Sequence, residues 1–226
     1  MGADFSSHQV FCGAGDHVSF REAAVQSLAG HLMAEGYVPT EGEKESGRSF
    51  VVGPPGRWLH VGDSAGSTER SDPEAFEAVS RVLSFAHPVA DIQVSDSAAV
   101  HFSLYRAGAL VDKYGNMGFP FIRFPTVQAA REYRGQPDLW ADLLVGGGRV
   151  DDLRDAWTQW GGWPADTILN KTAGLFGWSP ELVRVGYSHD LEGGLIRWDE
   201  YLQDEVDLAG FEEFHWDKDP ARRLEP

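Results

Sequence analysis

The chain has 226 residues, 42% hydrophobic and 12% aromatic, which is enough to fill a real core and excludes a disordered low-complexity tract. Its formal charge of −16 excludes a nucleic-acid binder, which must neutralise phosphates with clustered Lys and Arg, and no run approaches the roughly 18 apolar residues of a membrane span. Cys12 is the only cysteine, which excludes an internal disulfide and a thiolate zinc site, and the start of the chain lacks a basic stretch followed by an apolar run, so we expect a soluble, cytoplasmic protein with no membrane anchor.

Residues 9–12 form a short strand candidate. Ser19 then opens a helix with Glu22 three residues on, the spacing of a capping box, and Ala24, Val25, Leu28 and Leu32 make its apolar stripe until Gly36 stops it. Residues 49–53 and 58–62 flank Pro54-Pro55-Gly56 and read as a hairpin. Asp72 followed by Pro73 is an N-cap with proline at the first helical position, and Phe76, Val79, Val82 and Leu83 recur at helical spacing up to His87-Pro88. Three runs follow, 89–94, 99–105 and 110–114, with Arg106-Ala-Gly-Ala109 as a turn, and they read as an antiparallel meander.

Beyond about residue 126 the pattern changes to short helical pieces at 138–145, 150–160, 166–176 and after Ser179-Pro180, jointed at Gly146-Gly147-Gly148 and Gly161-Gly162. Six of the eight tryptophans lie between Trp140 and Trp198, so this part must pack against something large and apolar, most economically the sheet. The expected fold is therefore α+β. An antiparallel sheet is built from two strand-helix-strand units with helices on one face (residues 1–126), and a mainly helical extension with an acidic carboxyl-terminal segment (127–226) packs on it as one compact unit.

Gly62-Asp63-Ser64-Ala65-Gly66 matches the G-x-S-x-G elbow of α/β-hydrolases and follows a strand, but the helix signal waits until Asp72, so Ser64 reads better as a loop serine than as a nucleophile completed by Asp166 and His189. None of the eight histidines is paired at i, i+2 or i, i+4 on one element; a metal could be held only by convergence in space, with His60 and His101 from neighbouring strands and Asp63 or Asp96 as candidates. Asp91, Asp96 and Asp112 punctuate the meander, where aspartates more often cap turns than do acid-base work. Neither Gly146-Gly-Gly148 nor Gly13-Ala-Gly15 completes a nucleotide-binding fingerprint. We expect no catalytic residue, no metal and no cofactor.

Charge is concentrated instead. Residues 190–219 hold eleven acids against Arg197 and Lys218, a net −9 of the −16. Rings are interleaved with the acids, as a tight interface requires of its anchors. The expected partner-binding set is Trp198, Asp199, Glu200, Tyr201, Asp204, Glu205, Asp207, Phe211, Glu212, Glu213 and Trp216, facing a basic protein.

The segment Asp91-Ile-Gln-Val-Ser-Asp-Ser97, then Phe102-Ser-Leu-Tyr105, Gly108-Ala-Leu-Val-Asp112 and Tyr114-Gly-Asn116, resembles a pattern of small bacterial α+β proteins in which a strand ending in Asp-Ser leads into a hairpin. These are similar to the acidic immunity or accessory proteins encoded beside bacterial toxins. The resemblance implies a non-enzymatic protein that neutralises a toxin by plugging its active site, and it carries over no functional residue. The alternatives are a small hydrolase using Ser64, a metal-assisted enzyme using His60 and His101, and a small-ligand sensor with a cleft between twin α/β units.

Overall fold

A computed structural model describes residues 5–42, 47–66, 72–95, 99–116, 131–158, 165–189, 195–197 and 207–219. The fold is α+β, with an eight-stranded antiparallel sheet in the order β2-β10-β3-β4-β1-β5-β6-β7. The strands are β1 (Phe5–Phe11), β2 (Tyr37–Thr40), β3 (Arg48–Val52), β4 (Trp58–Asp63), β5 (Val89–Ser95), β6 (Ala99–Arg106), β7 (Ala109–Gly115) and β10 (Glu212–Lys218). β8 (Tyr187–His189) and β9 (Leu195–Arg197) make a separate two-stranded ribbon.

The expected hairpin is β3 with β4, and the expected meander is β5, β6 and β7. The turn of the β6–β7 hairpin has positive φ at Ala107 (51°) and Gly108 (76°), the mirror-image turn that suits the strand twist. Helix α1 (His17–Ala34) starts two residues before the expected Ser19. Asp16 is its N-cap, accepting from the amides of Val18 and Ser19, and the Ser19 hydroxyl donates to the same carboxylate at 2.7 Å. A carboxylate is the stronger acceptor for orphan amides at the positive end of a helix. Helix α2 (Pro73–Leu83) is capped by Asp72 as expected. A 3-10 turn (Pro137–Leu143), α3 (Val150–Thr158) and α4 (Ala165–Phe176) follow.

The sheet buries two different layers. Val10, Phe50, Val52, Leu59, Val61, Val89 and Tyr105 pack with Phe20, Leu28 and Leu32 of α1 and Val79 and Leu83 of α2. Ala90, Ile92, Val94, Val100, Phe102, Leu104 and Tyr114, alternate residues of the same strands, pack with Trp140, Trp157, Ile168, Leu169, Phe176 and Trp178. We call these the first and second faces. β10 was not expected from the sequence. Its Phe214 and Trp216 alternate onto the first face, with Trp216 only 7% exposed, and the strand pairs with both β2 and β3.

Candidate functional site

Strand alternation decides where the charged residues of the sheet go. His8 stands two residues from Val10, Asp63 two from Val61, Arg48 two from Phe50 and Asp91 two from Val89, so all four side chains point to the first face with those apolar neighbours. Because β3, β4, β1 and β5 are adjacent in that order, the four become a row: Arg48, Asp63, His8, Asp91. Each is at most 6% exposed.

The row is joined by hydrogen bonds and, between His8 and Asp63, by a longer ion pair. The Arg48 guanidinium donates twice to Asp63, at 3.0 and 2.5 Å, and once to the Ala75 carbonyl in the first turn of α2 at 2.9 Å. Nε2 of His8 lies 3.6 Å from Asp63, and Nδ1 lies 2.8 Å from Asp91. Asp91 also accepts from the Ser80 hydroxyl at 2.7 Å, and the His8 ring stacks on Phe76 at 4.0 Å, so α2 closes over the row. Burial alone would push the His8 imidazolium to a lower pKa, but Asp91 and Asp63 outweigh it and raise His8 to about 9. Burial likewise opposes ionisation of Asp63, and Arg48 with His8 overcomes it, holding that carboxyl below its usual range. At neutral pH the row therefore holds two cations and two anions.

Ser80, His8 and Asp91 are the residue types of a catalytic triad, and the geometry is not one. In a triad the serine and the acid take opposite ring nitrogens, whereas here Ser80 (3.0 Å) and Asp91 (2.8 Å) both face Nδ1 and Nε2 faces a second carboxylate. All three side chains are buried between α2 and the sheet.

A second polar cluster occupies the other side of β1. Ser7 donates to the Val183 carbonyl at 2.9 Å, Gln9 lies 2.7 Å from Nδ1 of His60, and Nε2 of His60 bonds the Val185 carbonyl. Burial pushes the His60 pKa down to about 4, against the carbonyl, which favours the charged form. Neutral His60 then donates from Nε2 and accepts at Nδ1 from the Gln9 amide. This cluster clamps the chain at 183–187 across the sheet. Gly62 permits the approach, since a Cβ there would lie 2.7 Å from the Val185 oxygen and 2.9 Å from the Gly186 Cα.

The sequence-derived candidates fall as follows. His60 and His101 do not stand on neighbouring strands: β1 and β5 separate β4 from β6, about 14 Å at three strand spacings, and the two rings lie on opposite faces. They cannot share a metal ion, and among the described residues no group of three or more His, Cys, Asp or Glu could hold one. Ser64 sits in a three-residue 3-10 turn, accepts the Ser49 amide at 2.9 Å, and is followed by a helix only at Pro73. Asp166 pairs with Arg184 at 3.3 Å. The His189 side chain and Asp96 lie outside the described residues. Asp112 is buried and accepts from Trp140 Nε1 at 2.7 Å and from the Gln136 amide at 2.8 Å, a packing role beside a turn.

Of the partner-binding candidates, Trp198, Asp199, Glu200, Tyr201, Asp204 and Glu205 lie outside the described residues. Asp207 is exposed, as is Glu212, which reaches Arg21 of α1 at 3.1 Å. Glu213 accepts from the Tyr187 hydroxyl at 2.8 Å, and Phe211 packs partly buried on Val51, Val185 and Tyr187. Trp216 turns inward and serves the core. β10 thus brings Glu212, Glu213 and Trp216 onto one strand, but its rings hold the strand to the body. The residues that sequence reading passed over are His8, Arg48 and Ser80, with Asp91 and Asp63 assigned to other roles. The signal available was a charge two positions from a core residue in an alternating strand.

No family model, no curated protein and no solved structure matches this chain.

Proposed function

We propose that the protein is a non-enzymatic binding module that covers a basic surface of a protein partner with its acidic 190–219 segment, in the manner of an immunity protein acting on a toxin in the cytoplasm. The observation that carries this reading is the insertion of β10 between β2 and β3 with Trp216 buried beneath the helices. That insertion ties the end of the acid-rich segment to the sheet, and Tyr187 bonding Glu213 ties its beginning to the same strand. Glu212 and Glu213, held on this strand, present their charge at a defined place, so less ordering entropy is lost there when a partner binds. We also read the scaffold as two strand-helix-strand units, β1–α1–β2 and β4–α2–β5, supported by the shared apolar layer of α1 and α2.

The test is the association rate with a basic protein partner, a toxin domain where one is encoded beside the gene, followed by stopped flow as salt rises to about 0.5 M. Steering by net negative charge makes the rate fall at least about tenfold, and Asp207→Lys with Glu212→Lys lowers it further at low salt. A rate indifferent to both salt and charge reversal overturns the proposal.

A further inference from the structure

The buried row does more than pack. Residues of α2 from its first turn to Ser80 meet it through polar or ring contacts, Ala75 with Arg48, Phe76 with His8 and Ser80 with Asp91, while Val79 and Leu83 enter the apolar layer. The same carboxylate that pairs with Arg48 also accepts the Ala65 amide at 2.9 Å, holding the 3-10 turn that precedes α2. We infer that the Arg48–Asp63–His8–Asp91 row is a latch, set by one proton on His8, that holds α2 between Ala75 and Ser80 and the turn at Ser64–Gly66 on the sheet.

The charge arrangement explains why one proton decides. With His8 protonated the row is neutral, and Nδ1–H donates to Asp91. When the Nε2 proton passes to hydroxide, Nδ1–H keeps its bond to Asp91, an imidazole lone pair faces Asp63, and the row keeps one uncompensated negative charge with no water to solvate it. Water reaches it only if the cover over His8 and Asp91 lifts, and that cover is α2. Of the other groups within electrostatic reach, His31 of α1 lies near Arg48 and Asp63, Tyr37 and Asp72 near Arg48, Tyr105 near Asp91, and His60 behind His8. Burial holds Tyr105 protonated well above its ordinary value, and burial keeps His31 and His60 toward the neutral form, so none of these three replaces the lost positive charge as pH rises.

Hydrogen exchange of the intact protein tests the latch, comparing peptides of α2 with peptides of α4 at neutral pH and at about pH 10, each corrected for intrinsic base catalysis. The expected result is a loss of protection of at least about tenfold in α2 with α4 unchanged. The double variant His8→Gln with Asp91→Asn removes one charge of each sign, keeps a donor facing an acceptor, and should show no alkaline opening. Equal loss in α2 and α4 of the wild type overturns the inference, and so does a double variant that opens as the wild type does. The wild-type comparison decides the matter even if the double variant folds poorly.

Discussion

Beneath α1 and α2 the sheet carries four charges inside an otherwise apolar layer, whereas beneath α3 and α4 it is filled by rings. On the second face Tyr114 stacks on Trp157 at 4.5 Å, Trp140 meets Trp157 edge-on at 5.4 Å, and Phe176 stacks on Trp178 at 4.8 Å. The aromatic face draws its stability from buried area and contact, neither of which changes with pH. The charged face depends on balance: each of its members is tolerated in the interior only because its neighbours neutralise it. One sheet thus has an aromatic layer sensitive to volume and, opposite it, a charged layer sensitive to alkaline pH, while the separate His60 cluster on the second face answers to acid.

The largest effects come from damaging each side in its own terms. Trp157→Ala on the second face should cost about 3–5 kcal/mol in urea unfolding, with the loss unchanged across neutral and alkaline pH. Arg48→Met on the first face should cost a similar ~3–5 kcal/mol by leaving Asp63 without its bidentate partner, and adding Asp63→Leu should recover much of it. If Arg48→Met is mild while Trp157→Ala is severe, the contrast between the faces fails.

Titration should separate the two polar clusters next. The folded pKa of His8, raised to about 9, lies above the ordinary 6.5, so its stabilisation is complete below pH 6.5 and is lost as pH rises through 9. His60, lowered to about 4, acts in the opposite sense: its neutral form is favoured by folding, and stability is lost as pH falls from 6.5 toward 4. Each limb amounts to about 3 kcal/mol at about 1.4 kcal/mol per pH unit. The urea midpoint should therefore peak near neutrality, with His8→Gln flattening the alkaline limb and His60→Gln the acid one. A smaller effect tests the clamp over the second face. Gly62→Ala should cost about 2 kcal/mol by pushing the 183–187 segment off the sheet, read as a lowered thermal midpoint, and no loss would mean the segment shifts freely.

Local patterns in the chain sufficed for the elements that form from near neighbours. Asp72-Pro73 marks the start of α2, Pro54-Pro55-Gly56 separates β3 from β4, and Arg106-Ala-Gly-Ala109 turns the β6–β7 hairpin, because caps and turns are closed by bonds within a few residues. The α+β class follows from the same signals. β10 was not legible, since Glu212–Lys218 looks like an acidic run until β2 and β3 offer its backbone a ladder on both sides and its two rings a layer to enter.

The charged row was hidden for a related reason. Alternation alone places His8, Asp63, Arg48 and Asp91 on the side of their apolar neighbours, but only the strand order makes partners of residues up to 83 positions apart. Sequence by itself therefore determined the composition, the local caps and turns and the class of fold. Tertiary structure decided which strands became neighbours, and with that which charges could be buried, because an ion is stable in the interior only where another part of the chain brings its counter-charge within bonding distance.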